Sequence, residues 1–182
     1  MGQPGDRSPA PGALALVQDF VNTTDIEVGV DDMRTPADLT AFATAHGLPE
    51  RDYTDDDVAI CREAREALRD AAQAHAGVDL DDGGALDALL ARGPLTVRIG
   101  PTGEASARPV EGLRGADALL AELAAAIVVS VAEGTWRRLK ACAMHSCRWV
   151  YYDKSPSGRS RWCTMSICGS RAKMRAYRDR KG

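Results

Sequence analysis

Cys142-Ala-Met-His-Ser-Cys147 and Cys163-Thr-Met-Ser-Ile-Cys168 are two cysteine pairs of equal spacing, separated by fifteen residues. Tetrahedral zinc takes four cysteine, histidine or carboxylate ligands, which are brought together from short loops of the chain. Two close pairs joined by an insert of hairpin length meet this requirement. The spacing therefore predicts a Zn²⁺ site whose ligands are Cys142, Cys147, Cys163 and Cys168.

The residues around the two pairs predict a small fold for this site. Arg148-Trp-Val-Tyr-Tyr152 has the character of a strand, and Lys154-Ser-Pro-Ser-Gly158 has that of a turn. Residues 169–180 have a helical pattern, so Cys168 would lie near a helix N-terminus, which favours a thiolate. Four protein ligands leave no open coordination position, and the zinc is therefore expected to be structural. Two alternatives stay open: His145 as a ligand, and two disulfides in place of a metal.

Charge divides the chain at residue 136. Residues 136–182 contain 13 Lys+Arg and two acids, a net charge of +11, whereas residues 1–135 contain 10 basic and 24 acidic residues, a net charge of -14. Four of the five cysteines and six of the nine aromatic residues also follow this point. A basic segment of this kind favours a polyanionic partner, although it could instead be neutralised by packing on the acidic body.

The part of the chain before residue 136 has the pattern of a mostly helical domain. Thr35-Pro36 is typical of a helix start, and so is Thr54 with the acids that follow it. The apolar segment at 13–23 fits either a helix or a strand. The other predicted elements are helices from Pro36 to His46, from Thr54 to about Gly77, at 85–91 and at 116–132, and a hairpin of 95–99 with 105–110.

These patterns predict an α+β fold in three parts. Residues 1–12 form a disordered leader, residues 13–135 a mostly helical domain with a small β-hairpin, and residues 136–182 a zinc module with a β-hairpin followed by a helix. The leader has no apolar stretch typical of a secretory signal, and no apolar run reaches the length of a membrane span. A cytoplasmic location is therefore expected, where cysteines stay reduced.

The predicted helical domain contains no evident catalytic group. His46 and His75 fall near predicted helix ends, and no nucleophile lies beside either of them. Cys61 belongs to the apolar stripe of a predicted helix and is expected to be a core residue. We therefore expect a protein that is not an enzyme.

Longer motifs surround the cysteines in the tail, residues 136–182, and occur at the start of the body, residues 13–135. The tail contains Asp153-x-Ser155 and then Ser160-Arg161-Trp162-Cys163-Thr164-Met165-x-x-Cys168-Gly169-Ser170-Arg171-x-Lys173. The body contains Leu14-x-Leu16-x-x-Asp19-Phe20-Val21-Asn22-Thr23 and Pro36-x-Asp38-Leu39. On these residues the chain resembles bacterial proteins with an N-terminal ABATE domain and a C-terminal CGNR-type zinc finger. It departs from that signature at Ser170, where the family name implies asparagine.

The resemblance implies a zinc-dependent transcription regulator whose tail binds DNA and whose body senses a small molecule or a stress signal. The residues themselves favour phosphate contacts from the tail. The expected DNA-contacting residues are Arg159, Arg161, Arg171, Lys173, Arg175 and Arg178. On the last helix Arg171, Arg175 and Arg178 share one face, and Met174 and Tyr177 are expected to pack on the zinc hairpin.

A different class of function stays open beside this one. The alternative is a ligand-sensing or protein-interaction protein in which the zinc module is purely structural. The sequence leaves the ligand-binding residues unknown and allows a homodimer, and it determines neither the DNA sequence recognised nor the direction of regulation.

Overall fold

A computed structural model describes residues 7–79 and 84–181, and it confirms an α+β fold with a mostly helical body. Antiparallel strand pairs join β1 to β2 and β3 to β4. The elements of the body are α1 (Leu14–Val21), β1 (Thr24–Asp25), β2 (Val30–Asp31), α2 (Pro36–Ala45), α3 (Asp55–His75), α4 (Gly84–Leu90), β3 (Leu95–Ile99), β4 (Ala105–Pro109) and α5 (Gly115–Ala132).

Two capping boxes fix the helix starts that the sequence predicts. The Thr35 hydroxyl accepts from the backbone N–H of Asp38, whose carboxylate accepts from the N–H of Thr35. Thr54 and Asp57 repeat this arrangement at the start of α3. Each box satisfies N–H groups that a helix N-terminus otherwise leaves without a partner. Because the residues of a box lie within four positions of one another, both helix starts can be predicted from the sequence.

The core of the body lies between α1, α3 and α5. The ambiguous segment at 13–23 is helical, and Leu14, Val17 and Val21 of α1 recur at helical spacing and are fully buried. By length and composition α5 is apolar enough to cross a membrane. Half of it is buried inside the protein, where it packs against α1 and α3, as a core helix of the body does.

The zinc module consists of short elements that follow α5. A 3₁₀ turn (Trp136–Arg138) leads into β5 (Leu139–Ala141), which pairs antiparallel with β6 (Val150–Tyr152). A single π-helical turn (Met165–Gly169) then runs directly into α6 (Ser170–Asp179). The predicted order of hairpin and helix is confirmed, with β5 as a strand that the sequence did not indicate.

The module packs on the body rather than extending from it. All residues of β5 and β6 are buried, and β5 lies along α3. At the end of α3 the His75 Nδ1 donates to the Leu139 carbonyl at 2.8 Å, and the His75 ring meets the Trp136 ring edge-on at 5.1 Å. The acidic body and the basic module therefore form one structure.

Two residues of the expected disordered leader, Arg7 and Ala10, contact the zinc module and the body respectively. Residues 1–6 lie outside the described residues. The Arg7 guanidinium donates to the carbonyls of Trp162 and Cys163 at 3.0 and 2.9 Å, and it lies over the Tyr151 ring. The Ala10 N–H donates to the Gln18 side chain of α1 at 2.6 Å. The partners of Arg7 lie more than 150 residues away in the chain, so proline and glycine content does not indicate these contacts.

Candidate metal centre and basic surface

Backbone turns place each cysteine of the predicted set at a defined point of the module. Cys142 directly follows β5, and its N–H donates to the Trp149 carbonyl at 2.9 Å. The N–H of Cys147 donates to the Met144 carbonyl at 2.9 Å, which closes the turn between the first two cysteines. Cys163 precedes the π-helical turn, and Cys168 lies within it. Two turns from different parts of the module thus bring the two cysteine pairs together.

The four sulfurs have the separations of a tetrahedral zinc site. Their Sγ atoms all lie within 4.8 Å of one another. The Sγ of Cys163 is 3.7 Å from that of Cys147 and 3.6 Å from that of Cys168. A tetrahedron with Zn–S bonds of about 2.3 Å has sulfur–sulfur edges of about 3.8 Å. The four cysteines are positioned to bind a metal ion, and their geometry fits zinc.

The two alternatives open from the sequence do not fit this geometry. The structure has Cys142, Cys147, Cys163 and Cys168 as free thiols, and separations near 3.7 Å far exceed a disulfide bond of about 2.05 Å. His145 is exposed and lies outside the sulfur cluster.

The thiols require a cation if they are to ionise together. All four are buried. Hydrogen bonds from Cys147 and Cys163 lower the pKa of Cys142, whereas the hydrogen bond to Cys142 raises the pKa of both Cys147 and Cys163. Without a metal ion, one ionised thiolate therefore suppresses the ionisation of the neighbouring thiols. A divalent cation at the centre supplies the charge that stabilises four thiolates.

A buried carboxylate holds the loop between the cysteine pairs. Asp153 is fully buried and accepts from the N–H groups of Ser155 and Ser160 at 3.0 and 2.9 Å. The Lys140 ammonium, also buried, lies 3.1 Å from it. Burial opposes ionisation of Asp153, but the hydrogen bonds from Ser155 and Ser160 outweigh it and lower its pKa well below the usual range. Lys140, one of the 13 basic residues of this segment, therefore neutralises an internal charge rather than contributing to the surface.

Asn22, which caps the C-terminus of α1, and Arg69 of α3 hold the first cysteine turn. Asn22 pairs with the backbone of Val150 in both directions: its Nδ2 donates to the carbonyl at 2.8 Å, and its Oδ1 accepts from the N–H at 3.0 Å. The fully buried Arg69 donates to the Arg148 carbonyl at 3.1 Å and to the Val21 carbonyl at 2.7 Å. Arg148 itself has φ of 51°, an uncommon conformation for a residue with a side chain. The body thus fixes the turn that carries Cys147.

The six residues expected to contact DNA are all exposed. Three of them, Arg171, Arg175 and Arg178, line a groove of about 560 Å³ along α6. Serine hydroxyls of the cysteine turns and apolar side chains complete the groove: Ser146, Ser166, Ser170, Met144, Ile167 and Met174. Arg159, Arg161 and Lys173 lie outside it.

The packing face of α6 differs from the one expected. Met174 is 57% and Tyr177 49% exposed, so the expectation that they pack on the zinc hairpin is wrong. Ala172 is the residue of α6 that packs on the cysteine cluster, together with Trp162. A small residue lets the helix lie close to the metal site, and this leaves the longer apolar side chains on the surface beside the arginines.

The body contacts the basic helix at one further point. Glu27, in the loop between β1 and β2, forms an ion pair with Arg171. The hydrogen bond to Glu27 raises the pKa of Arg171, so this contact favours the charged form of the guanidinium. One of the three groove arginines is thereby shared with the acidic body.

Comparison with known families follows the same division of the chain. Residues 14–134 match the model of the ABATE family, described as "Putative stress-induced transcription regulator". The chain belongs to the ABATE family. Residues 138–181 match the CGNR zinc finger, so this ABATE protein has both parts of the architecture that the sequence resembles. No curated protein is significantly similar to it.

Two features of this ABATE protein bear on its motifs. At Ser170, where the finger's name implies asparagine, the hydroxyl donates to the Met165 carbonyl at 3.2 Å and so closes the turn that carries Cys168. In the body motif, Asn22 is the residue that binds the zinc module. Sequence reasoning identified that motif but did not indicate what Asn22 contacts, because its partner lies 128 residues away.

Proposed function

We propose that the protein is a zinc-dependent, DNA-binding transcription regulator rather than an enzyme, and that its body senses a small molecule or a stress signal. The observation that carries the proposal is the groove along α6, which is lined by three exposed arginines and three exposed serines. Arginine and serine side chains are common donors to phosphate oxygens. The net charge of +11 over residues 136–182 supports a polyanionic partner.

Zinc has a direct role in presenting this groove. Cys168 lies two residues before α6, in the π-helical turn that leads into it, and Ser146 and Ser166 belong to the loops between the paired cysteines. A module of about 45 residues buries too little apolar surface to hold such loops without a metal or a partner. Removal of the metal is therefore expected to separate the arginines of α6 from the serines opposite them and to weaken phosphate binding.

One observation favours a second function, in which the module only docks on the body. Asn22, Arg69 and His75 bind backbone atoms of the module, and Glu27 pairs with Arg171. Among the described residues, the remaining groove arginines, Arg175 and Arg178, form no hydrogen bond to the body, and both are exposed. For this reason we favour DNA as the partner of the groove and regard the docking as the link between body and module.

DNA binding should be tested with the full, zinc-loaded chain. Fluorescence anisotropy with a mixed-sequence duplex at several salt concentrations gives both the affinity and its salt dependence. The test variant carries Arg171→Gln, Arg175→Gln and Arg178→Gln. The matched control makes the same charge change at exposed arginines of the body, Arg34→Gln, Arg108→Gln and Arg114→Gln.

The salt dependence distinguishes a real phosphate site from general attraction. Each phosphate contact contributes about 0.9 to the slope of log K against log salt, so losing three contacts should reduce the slope by about 2.7. The control should leave the slope unchanged. Equal losses in the two triple variants, or DNA binding that survives complete removal of zinc, would contradict the proposal.

A further inference from the structure

The segment before α1 runs from the core of the body to the zinc module. Ala10 is buried in that core, and its N–H donates to the Gln18 side chain of α1 at 2.6 Å. Arg7, three residues earlier, contacts the zinc module. It precedes both ranges that the family models match, 14–134 and 138–181. A role of Arg7 at the metal centre is therefore not implied by either family.

The Arg7 guanidinium lies among groups that surround the four cysteines. Its Nε donates to the Cys163 carbonyl at 2.9 Å, and its Nη2 donates to the Trp162 carbonyl at 3.0 Å. Its Cζ lies 4.5 Å from the centre of the Tyr151 ring, and its Nη1 lies 4.0 Å from the Asp153 carboxylate. Both of these partners are fully buried. Four contacts thus hold a single side chain that is 22% exposed.

The backbone of residues 160–163, which leads back to the metal centre, has a donor for each of its carbonyls. The Ser160 carbonyl accepts from a tyrosine hydroxyl of β6 at 2.8 Å. The Arg161 carbonyl accepts from the Ala143 N–H at 2.9 Å. These donors belong to the zinc module itself. The next two carbonyls accept from Arg7, so the N-terminal segment completes the support of this stretch of backbone.

The position of Cys163 is decisive for the geometry of the sulfur cluster. Its Sγ lies 3.7 Å from that of Cys147 and 3.6 Å from that of Cys168, so it joins the two cysteine turns. The carbonyl and the sulfur of Cys163 are attached through the same Cα atom. A guanidinium binds two neighbouring acceptors with a rigid, planar fork. The fork of Arg7 therefore limits rotation of this backbone and, with it, movement of the sulfur.

Each cysteine pair then has its own support from outside the zinc module. Asn22 and Arg69 hold the turn that carries Cys147, and Arg7 holds the backbone at Cys163. We propose that Arg7 is a positioning residue of the metal centre, which keeps Cys163 in its ligating arrangement and so slows the loss of zinc. The inference does not depend on DNA binding by the groove.

The zinc affinity of the full, zinc-loaded chain tests this role. Competition with the dye pyridylazoresorcinol gives the affinity, and an excess of the same dye gives the release rate. Loss of a group that holds a metal ligand costs about 10–100-fold in metal affinity. Because Arg7 is partly exposed, we expect Arg7→Gln to weaken zinc binding about tenfold and to speed zinc release correspondingly. Unchanged affinity and release in Arg7→Gln would overturn the proposal.

Arg7→Lys separates the effect of position from that of charge. Lysine keeps the positive charge, but its ammonium group lacks the planar fork that reaches both carbonyls. Arg7→Lys should therefore weaken zinc binding nearly as much as Arg7→Gln. Full retention of zinc by Arg7→Lys would show that charge alone acts, and it would refute the assignment of Arg7 as a positioning residue.

The matched control is Arg51→Gln, which makes the same change within the body. The Arg51 side chain is 18% exposed, close to the value for Arg7, and it pairs with Glu122 at 3.4 Å. This variant should keep the zinc affinity and the release rate of the natural chain. Equal weakening in Arg7→Gln and Arg51→Gln would point to a general loss of stability and would contradict a specific role of Arg7.

A merely structural role of Arg7 would lower the stability of the body together with the zinc affinity. Urea unfolding followed by far-ultraviolet circular dichroism, with zinc in excess, distinguishes the two. The transition of Arg7→Gln should coincide with that of the natural chain, because the body keeps its own core. A transition at lower urea in Arg7→Gln would overturn the proposal, since the loss of zinc would then follow from unfolding.

Discussion

Asn22→Ala should loosen the attachment of the zinc module to the body. The substitution removes the acceptor at 3.0 Å from the Val150 N–H and the donor at 2.8 Å to the Val150 carbonyl, in a buried position. The Val150 carbonyl keeps a second donor, the Gln18 Nε2 at 3.2 Å. Losing the bond to the carbonyl therefore costs less than losing the bond to the N–H. With about 1–3 kcal/mol for the N–H and about 0.5–1.5 kcal/mol for the carbonyl, the free energy of unfolding should fall by roughly 1.5–4.5 kcal/mol.

The positions of the tryptophans allow the two parts to be observed separately. All three of them, Trp136, Trp149 and Trp162, lie in residues 136–182, while the long helices α3 and α5 lie in the body. In urea unfolding with zinc in excess, tryptophan fluorescence therefore reports the module and far-ultraviolet circular dichroism mainly reports the body. We expect Asn22→Ala to shift the fluorescence transition to lower urea and to separate it from the dichroism transition.

Gln73→Ala provides a graded comparison for Asn22→Ala. Gln73 also joins the body to the module, but through one hydrogen bond of 3.4 Å to the Cys142 carbonyl. A bond of that length is weak, so the loss should be below about 1 kcal/mol. If Asn22→Ala changed stability no more than Gln73→Ala, and both transitions stayed coincident, the assignment of Asn22 as the main polar link would be refuted.

Three further predictions concern single residues. Burial raises the pKa of Cys61 to about 12, so this thiol should not react in the native protein at neutral pH. A chelator should therefore make four thiols reactive toward a thiol reagent. Five reactive thiols would contradict a buried Cys61. Glu27→Gln should tighten DNA binding by up to about fivefold at low salt, because an exposed ion pair is weak and Arg171 would be released from this one. Unchanged affinity in an anisotropy titration would exclude competition by Glu27. Burial lowers the pKa of His75 below 6.5, so the unfolded chain binds a proton on this ring more readily than the folded chain does. The difference in unfolding free energy between the natural chain and His75→Asn should therefore be constant above about pH 6.5, and it should shift against the natural chain as the pH falls through that value. Urea unfolding across about pH 5 to 8 measures this difference.

Local signals made a large part of the architecture predictable. The capping boxes at Thr35 and Thr54 act within four residues, so the starts of α2 and α3 are visible in the sequence. The hairpin of β3 and β4 follows from alternating residues around a turn and was predicted to within one residue, ending at Pro109 rather than Val110. The spacing of the cysteines predicted the sulfur cluster, because a metal site needs its ligands on short turns.

Local sequence patterns did not predict the structure where they fitted two conformations or two packing faces about equally well. The segment at 13–23 became a helix because α3 and α5 cover its apolar face, and no short-range pattern contains that information. The packing of α6 was predicted wrongly for a related reason. Met174 was expected to pack on the zinc hairpin, but the small Ala172 is the residue of α6 that packs on the cysteine cluster.

The sequence by itself determined the cluster of four cysteines, the division of charge and the starts of the main helices, because each depends on residues that are near one another in the chain. The tertiary structure alone decided how the parts are joined. Asn22 meets Val150 across 128 residues, and Arg7 meets Cys163 across 156. Contacts at such separations depend on the folding of everything between them.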